Sequence, residues 1–562
     1  MSVDRPAFLD ERRLLHGPWQ AFERDIARLM LANGFDDVRV VGGSGDRGAD
    51  VLGVSREELW VFQCKHTQTS PPSKDAIGEV VEAAKFYNAH RMVVATSRPP
   101  GEAFHEEKRR YERTGLRIQI ADPRTLLGMM AKTPEYPPAR RALRGYQEDV
   151  STRFRQALID TGRAQIVLAT GLGKTVVMAE VVADLLRDDL IDGGRTLVLA
   201  HTRDLVDQLQ RAFWFQLPKW VATHRMAEGE MPSFFDGITF ATVQSALSRI
   251  DDLPPFGLVF VDEAHHIGSD TFRRTIDALK PPMLGGVTAT PWRGDGYDID
   301  QMLGPPLVKI GIAEGLQQGF LSEVDYRLLG DNIEWETVQQ LSHFNYSINE
   351  LNRRLIIPTR DEEAARIVRQ VFDEERRRAG IVFSPTILHA QNFAALLRRY
   401  GFRAETISAE TEPRQRDVLM SRFRAGQLDF VATVDLFNEG VDVPDVDMLI
   451  FLRATHSRRI FVQQLGRGLR VSPGKSKVVV LDFVTDLRRM AEVVELDKAI
   501  RGGDVERLGM GSRIIQFHDN SAGSFLREWM LDQASLILRD GDPKLELPDF
   551  EYPEPPPPGG VQ

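Results

Sequence analysis

Short apolar runs alternate with amphipathic segments along most of the chain. Runs of five to seven mainly apolar residues occupy positions 196–201, 237–242, 258–263, 380–384, 430–434, 448–452 and 477–483. Their length is typical of buried strands, and the stretches between them have the spacing of amphipathic helices. Such alternation predicts α/β domains built on parallel sheets. Because the pattern occurs both before and after about residue 325, we predict two stacked α/β domains.

A separate pattern lies nearer the N-terminus. Residues 20–31 place apolar side chains at helical spacing, and residues 59–65 alternate like a strand. A proline-rich joint follows at 133–142, and helical patterning returns at 525–540 before an acidic, proline-rich end. We therefore predict five segments: an N-terminal α/β domain at 1–135, a linker at 136–142, α/β domains at 143–325 and 326–490, and a small helical segment with a tail at 491–562.

Composition narrows the class of protein. With 562 residues the chain is too long for one domain, and its 27% charged residues are ordinary for a folded protein. A net charge of −10 argues against general polyanion binding but allows a local basic groove. The single cysteine, Cys64, cannot form an internal disulfide, and no apolar run approaches membrane-spanning length. These features predict a cytoplasmic protein without a membrane partner.

A nucleotide-binding pattern follows the apolar run at 166–169. The glycine turn there lets backbone N–H groups surround phosphate oxygens, with Lys174 reaching the terminal phosphates and the Thr175 hydroxyl binding Mg²⁺. The general phosphate-loop pattern has a glycine where this chain has Leu168. A second signal follows another apolar run, where Asp262 is placed to hold Mg²⁺ and Glu263 to polarise the attacking water. Together the two signals predict ATP hydrolysis.

Near the N-terminus a different set of residues predicts phosphodiester chemistry. Gln63 and Lys65 project from the same face of the 59–65 strand, with Cys64 facing the other way as a buried apolar residue. Asp50 and the Gln63 side-chain oxygen would hold Mg²⁺, and Glu23 could reach the outer shell of the metal. Lys65 would stabilise the developing charge on phosphorus or activate water.

Residues 143–490 resemble the core of a superfamily 2 helicase of the DEAH and type III restriction-subunit branch, which has two RecA-like domains with nucleotide between them. The family often lacks the earlier glycine, so Leu168 is compatible with it. The resemblance rests on motifs in the family's order: RGYQ (144–147), ATGLGKT (169–175), LAHTRDLVDQ (199–208), ATVQSA (241–246), VDEAHH (261–266), TATPWR (288–293), FSPTILHA (383–390), FNEGVDVPDVD (437–447) and QQLGRGLR (463–470).

This resemblance implies roles for individual residues. Arg467 and Arg470 would act as arginine fingers on the γ-phosphate, and Gln463 would contact nucleotide or the attacking water. In the same way Gln147 would read adenine, and Thr288 with Thr290 would couple phosphate release to domain movement. The remaining nucleotide-site residues are Thr170, Gly171 and Gly173 of the phosphate loop and Gly440 and Asp442 at the interdomain face.

The same resemblance implies contacts with the nucleic-acid backbone, which do not depend on base sequence. At strand–helix junctions, however, Ser, Thr and Gln are often helix caps or solvated surface, and that alternative stays open. The two histidines of VDEAHH would couple that motif to its neighbours and bind no zinc. The implied backbone-contact residues are Thr202, Arg203, Thr242, Gln244 and Ser384.

Residues 17–130 resemble an Mrr-type restriction endonuclease domain. The distinctive parts are the glycine-rich stretch that ends at Asp50 and the Gln-x-Lys strand, with a helix at 74–87 and a strand at 92–96 completing the layout. This resemblance implies double-stranded DNA as substrate, which makes an RNA helicase the weaker alternative. The sequence thus predicts an ATP-driven DNA helicase or translocase with its own nuclease, in restriction of foreign DNA or in DNA repair. The alternative is a DNA-remodelling translocase whose N-terminal domain only binds DNA. No target-recognition domain is recognisable, so a partner protein or a feature of the DNA would choose the target.

Overall fold

The chain forms two compact units, residues 1–168 with 173–309 and residues 169–172 with 310–562. The computed structural model describes residues 6–41, 48–289, 299–329, 332–333, 345–347, 356–357, 361–434, 446–452, 468–469, 471, 475, 477–483, 515–516 and 544–546. Within these residues no helix combines the length and the apolar character that a bilayer crossing needs.

The N-terminal domain of the first unit is a five-stranded mixed sheet in the order β1-β2-β3-β4-β5, with helices on both faces. The strands β1 to β3 form antiparallel hairpins, and β3, β4 and β5 run parallel. The two faces bury separate apolar clusters, one beneath α2 and one beneath α3. The elements are α1 (Glu11–Leu15), α2 (Trp19–Ala32), β1 (Asp36–Val40), β2 (Val51–Ser55), β3 (Glu58–Lys65), α3 (Ala76–Tyr87), β4 (Arg91–Thr96), α4 (Glu102–Glu112), β5 (Ile118–Ala121) and α5 (Pro123–Lys132).

The second domain of this unit is a seven-stranded sheet in the order β12-β6-β11-β10-β7-β9-β8. The strands from β6 to β8 in that order are all parallel, which confirms the predicted α/β layering. The elements are α6 (Gly145–Thr161), β6 (Arg163–Leu168), α7 (Lys174–Arg187), β7 (Arg195–Ala200), α8 (Arg203–Trp214), β8 (Thr223–Met226), β9 (Gly237–Thr242), α9 (Val243–Ser248), β10 (Leu258–Asp262), α10 (Asp270–Leu279), β11 (Met283–Thr288), α11 (Asp300–Leu303) and β12 (Val308–Ile310).

The second unit contains a fully parallel seven-stranded sheet in the order β18-β19-β17-β20-β21-β13-β22. The helix predicted at 525–540 lies outside the described residues, and the described parts of 491–562 are two short strands. The elements are α12 (Ile312–Gln317), β13 (Glu323–Leu329), β14 (Asn332–Ile333), β15 (Asn345–Ser347), β16 (Ile356–Ile357), α13 (Asp361–Glu374), β17 (Gly380–Phe383), α14 (Ile387–Arg399), β18 (Ala404–Ile407), α15 (Pro413–Arg424), β19 (Phe430–Thr433), β20 (Met448–Phe451), β21 (Lys477–Asp482), β22 (Ile515–Gln516) and β23 (Lys544–Glu546).

Within the first unit the two domains pack directly on each other. Trp214 of α8 is buried in the apolar cluster beneath α2. Arg28 of α2 donates a hydrogen bond to the carbonyl oxygen of Val221 at 2.7 Å, and Arg211 of α8 donates to that of Val38 at 2.9 Å. Because apolar burial and hydrogen bonds both join the domains, the N-terminal domain is docked on the second domain and is not held by the linker alone.

Candidate functional site

Asp50 is fixed at the start of β2 by its hydrogen bonds to β3. Its backbone N–H donates to the carbonyl oxygen of Phe62 at 2.9 Å, and its Oδ2 accepts from the N–H of Cys64 at 2.5 Å. The residue is only 4% exposed. A buried carboxylate needs compensating positive charge or hydrogen bonds, so Asp50 is suited to binding a cation.

The alternation predicted for β3 is confirmed. Cys64 packs into the apolar cluster beneath α2, whereas the Nζ of Lys65 pairs at 2.6 Å with Glu79 of α3 on the other face. Gln63 is 5% exposed, and its buried Oε1 has no hydrogen-bond partner. A buried oxygen without a donor fits an oxygen-binding cation, and oxygen ligands such as those of Gln63 and Asp50 are of the hard type that such ions prefer.

Glu23 lies on α2 and is buried. Burial raises the pKa of the Cys64 thiol well above its usual range, and the negative charges of Asp50 and Glu23 raise it further. Both carboxylates therefore lie close enough to Cys64 to act on it electrostatically. Within the described part of the chain, no three His, Cys, Asp or Glu side chains form a metal-binding group. That Asp50 and the amide oxygen of Gln63 hold a metal ion, with Glu23 in its outer shell, stays a prediction.

The sequence pattern does not single out Glu79. It lies in the first turn of α3, where an acidic residue is expected simply because it favours a helix N-terminus. Only the fold brings α3 against the end of β3 and places the Glu79 carboxylate on Lys65. This ion pair holds the Lys65 amine in place beside Gln63. A phosphate that binds there must compete with Glu79 for the amine.

Gly48 allows the glycine-rich stretch before Asp50 to pass α3 closely. Its φ is +87°, and a Cβ at this position would lie 2.6 Å from the Cβ of Glu79 and 2.7 Å from its carbonyl oxygen. Both the backbone conformation and the space therefore require glycine. Residues 42–47, which precede it, lie outside the described residues.

We expect Gly48→Ala to destabilise the N-terminal domain much more than Gly34→Ala does. Gly34 also has a positive φ, +82°, but a Cβ there would have nothing within 4 Å. Gly34→Ala should cost only the conformational penalty of about 1–2 kcal/mol, and Gly48→Ala should add an overpacking penalty of about 1–3 kcal/mol. Denaturant unfolding of the two variants measures the difference. Equal destabilisation would mean that α3 does not crowd Gly48.

The phosphate loop joins β6 to α7. Gly171 and Gly173 have φ values of +96° and +82°, a conformation that costs glycine little. Gly173 immediately precedes the first turn of α7, so the N–H groups of that turn face the loop. The Nζ of Lys174 donates to the carbonyl oxygen of Leu168 at 3.4 Å, and Thr175 follows it in the same turn. This is the arrangement that anion binding at a helix N-terminus requires.

Gln147 lies against this loop. Its Oε1 accepts from the backbone N–H of Arg144 at 2.9 Å, and a Cβ on Gly173 would lie 2.4 Å from its Nε2. The close approach explains why the loop needs glycine at 173. It also places a buried amide beside the nucleotide loop, as the resemblance implies for adenine recognition.

Asp262 ends β10 next to two other parallel strands of the sheet. Burial and the adjacent Glu263 raise the pKa of Asp262 to about 7, and the nearby ammonium of Lys174 opposes this rise. Glu263 itself has a φ of +48°, a left-handed conformation that turns the chain sharply after the strand. The two carboxylates and Lys174 thus lie in one charged cluster at the carboxyl end of the sheet, where nucleotides bind in α/β folds.

His265 and His266 connect this cluster to neighbouring motifs. The Nδ1 of His265 lies 2.9 Å from the Thr288 hydroxyl at the end of β11 and 3.3 Å from the Glu263 carboxylate. The ring of His266 lies 4.6 Å from that of His201, just after β7. These contacts fit the coupling role that the resemblance implies for the two histidines.

The residues implied in nucleic-acid contact differ in accessibility. Thr202 and Thr242 are the N-caps of α8 and α9, with hydroxyls that accept from Leu205 and Ser245 N–H groups. Gln244 is exposed. Arg203 is 46% exposed and ion-paired, and Ser384 is fully buried, so its hydroxyl does not reach the surface in this structure.

Part of the implied nucleotide site lies outside the described residues. These positions are Thr290, Gly440, Asp442, Gln463, Arg467 and Arg470. Thr170 is described and is half-buried in the phosphate loop.

Three family models match the chain in the order that the motifs suggest. The model of a restriction endonuclease domain, Mrr_cat, matches residues 14–130. The model described as "Type III restriction enzyme, res subunit" matches residues 140–293. The model described as "Helicase conserved C-terminal domain" matches residues 363–472. Both the nuclease-type and the helicase-type resemblances are therefore confirmed.

Similar proteins include helicases and restriction enzymes. The Saccharomyces cerevisiae protein IRC3, named for ATP-dependent helicase activity, is 23% identical over 355 residues, which are 61% of this chain and 51% of that protein. The type I restriction enzyme EcoKI endonuclease subunit of Escherichia coli is 26% identical over 408 residues, 60% of this chain and 34% of that protein. The chain thus spans about half or less of the length of these curated relatives.

A solved structure supports the fold. The ATP-dependent Type ISP restriction-modification enzyme LlaBIII bound to DNA superposes with a TM-score of 0.52 at 15% identity. The match covers 92% of this chain and 42% of that one.

Proposed function

Because the chain joins an Mrr-type restriction endonuclease domain to a type III restriction-subunit-like helicase core, we propose that it is an ATP-driven DNA translocase or helicase that cuts DNA with its own nuclease. The proposed substrate is double-stranded DNA, and the proposed cofactors are ATP and Mg²⁺. The observation that carries the proposal is the hydrogen bond that holds Asp50 on β3 at Cys64, next to Gln63 with its buried, unsatisfied Oε1. Lys65 lies on the same face of β3 as Gln63 and pairs with Glu79.

The residues of the N-terminal domain divide the cleavage chemistry among them. Asp50 and Gln63 would hold a divalent ion, which when bound supplies Lewis-acid polarisation of the scissile phosphate and a more acidic water. Lys65 would donate to the phosphate oxygen that gains charge as the phosphorus becomes five-coordinate. Glu79, at 2.6 Å from the Lys65 amine, positions that amine before the substrate arrives.

The ATPase domain would work through its own separate set of residues. Lys174 would neutralise charge on the terminal phosphates, and the Thr175 hydroxyl with Asp262 would hold the ion that accompanies ATP. Glu263 would orient the attacking water. Arg467 and Arg470 would stabilise the transition state when the two helicase domains close on ATP.

The experiment that tests the proposal is a cleavage assay with the full chain on modified, unmodified, linear and branched duplex DNA, with and without ATP and Mg²⁺. Cutting that needs Mg²⁺ and is enhanced by ATP would support it. The DNA that is cut best would also separate a role in restricting foreign DNA from one in repair. A dependence on added cell extract would point to a separate target-recognition protein.

We expect DNA to stimulate ATP hydrolysis severalfold or more, because DNA bound across both helicase domains would favour their closure on the nucleotide. Backbone contacts dominate such binding, so the DNA concentration that gives half-maximal stimulation should rise steeply with salt and depend little on sequence. Steady-state ATPase assays at several salt concentrations measure this. Rates that no single- or double-stranded DNA alters would contradict the translocase proposal.

One observation favours the alternative of a non-cutting DNA-remodelling translocase. The amine of Lys65 is already paired with the carboxylate of Glu79, so a DNA phosphate would have to compete with that carboxylate for the amine. On this alternative the N-terminal domain would bind DNA without cutting it, and the cleavage assay would show no product under any condition.

A further inference from the structure

A short turn of the ATPase domain lies at its contact with the N-terminal domain. The turn comprises residues 227–230, between β8 and β9, and we call it the β8–β9 turn. Its residue Glu230 has a side chain only 4% exposed and accepts from Arg24 of α2. It also pairs with Arg225, at 3.1 Å. One buried carboxylate therefore binds a cation from each of the two domains.

The same turn also contacts the residue implied in DNA binding. Glu228 is 57% exposed, and its Oε1 lies 2.7 Å from the Nη1 of Arg203. Its Oε2 lies 3.5 Å from the Nη2 of Arg225. Asp207 of α8 anchors the same Arg225 at 2.5 Å. An unbroken chain of ion pairs therefore runs from Arg203 through Glu228, Arg225 and Glu230 to Arg24.

The two ends of this chain lie in functional regions. Arg203 begins α8 in the motif that would touch the DNA backbone, and its guanidinium is half-exposed. Arg24 follows Glu23 directly on α2, the helix that packs on the sheet face to which Cys64 points. The backbone of Glu228 is left-handed, with a φ of +53°, and Gly229 follows at +83°. Non-glycine residues keep such a conformation only when their surroundings fix it.

We propose that this chain of ion pairs couples DNA binding at Arg203 to the placement of the nuclease helix α2. A phosphate and a carboxylate both pair strongly with a guanidinium, so a DNA phosphate bound at Arg203 would compete with the exposed Glu228 and displace it. Glu228 would then pair more fully with Arg225, and the ion pair between Arg225 and Glu230 would weaken. Glu230 would in turn bind Arg24 more firmly and fix α2. The inference rests on the proposed function, since it takes Arg203 as a DNA contact.

Coupling of this kind must act in both directions. When Arg24 is removed, Glu230 pairs more fully with Arg225, and Arg225 interacts less with Glu228. Glu228 then pairs more strongly with Arg203 and competes better with DNA for its guanidinium. A change in the nuclease helix should therefore weaken DNA binding by the ATPase domain. When Glu228 is removed, Arg203 loses an internal competitor and should bind DNA more tightly.

The test is a double-mutant cycle in the full chain with Asp50→Ala as background, so that no DNA is cut. The DNA concentration for half-maximal ATP hydrolysis is measured with a duplex for the parent, Arg24→Gln, Glu228→Gln and the combined variant. We expect Arg24→Gln to raise it about fivefold, at the low end of the usual range for coupled sites. Glu228→Gln should lower it, and Arg24→Gln should shift it by less than about twofold when Glu228 is already gone.

Arg13→Gln is the matched control. Arg13 is another nuclease-domain arginine that pairs across the junction, with Asp236, and it makes no link to Glu228. It should leave the half-maximal DNA concentration unchanged. A similar shift from Arg13→Gln, no shift from Arg24→Gln, or an Arg24→Gln shift that persists without Glu228 would each overturn the coupling.

A conservative variant of Arg24 distinguishes a loss of coupling from misfolding. Arg24→Lys keeps the charge but loses the forked geometry, so it should give a smaller shift of about twofold that also disappears with Glu228→Gln. If the parent ATPase does not respond to DNA, the proposed function fails, and the cycle is then read by direct binding of labelled duplex. The two failures are therefore distinguishable.

Discussion

Lys174→Ala should abolish ATP hydrolysis while the chain remains folded. Lys174 begins α7 directly after the two glycines with positive φ, and its ammonium lies near Asp262. It is the point charge that the described loop offers to the terminal phosphates. Its removal should slow turnover on the order of a hundredfold or more, equivalent to about 2.7 kcal/mol of lost transition-state stabilisation. Steady-state phosphate release at saturating ATP measures the effect.

The hydroxyl of Thr175, next to Lys174, provides a matched pair of variants. Thr175→Ser keeps an oxygen ligand for the ion that accompanies ATP and should retain most of the activity. Thr175→Ala removes that oxygen and should lose most of it. A folded Lys174→Ala protein with near-normal turnover would show that ATP is bound elsewhere.

Asp50→Ala should eliminate DNA cleavage but leave DNA-stimulated ATP hydrolysis largely intact. Asp50 is held on the β2–β3 hairpin of the N-terminal domain, whereas Lys174 and Asp262 belong to the sheet of the next domain. Without its carboxylate, the oxygen of Gln63 would be a poor cation site by itself. Nicking and cutting of plasmid DNA with Mg²⁺, together with ATPase assays of the same preparation, measure both activities.

Substitutions of Gln63 and Lys65 test the same nuclease site more specifically. Gln63→Glu adds a carboxylate at the same position and should tighten metal binding with cleavage retained, while Gln63→Ala should lose cleavage. Lys65→Ala should keep the metal ligands but lose the charge that stabilises the transition state. If the wild-type chain cuts no DNA, or if Asp50→Ala cuts as well as the wild type, the N-terminal domain is a DNA-binding module.

The nuclease and nucleotide motifs could be found from sequence because their chemistry is local. The strand alternation at 59–65 fixes which way Gln63, Cys64 and Lys65 point, and the structure confirms it. The phosphate loop is a run of consecutive residues whose glycines and lysine act through the backbone of a single turn. The parallel sheets likewise follow from apolar runs of strand length, because a strand covered on both faces is apolar throughout.

Local patterns were less informative where a residue type has two common roles. Thr202 and Thr242 are helix caps here, a role that the sequence could not separate from DNA contact. The burial of Ser384 depends on how the second unit packs around β17.

The sequence by itself determined the order of domains, the faces of β3 and the residues of each motif. The tertiary structure alone decided that Glu79 pairs with Lys65, that Gly48 passes against α3, and that Arg24 reaches Glu230 across 206 positions of the chain. The physical reason is that backbone periodicity and turn chemistry act between neighbours in sequence. A side-chain ion pair depends instead on which surfaces pack together, and no local pattern records that choice.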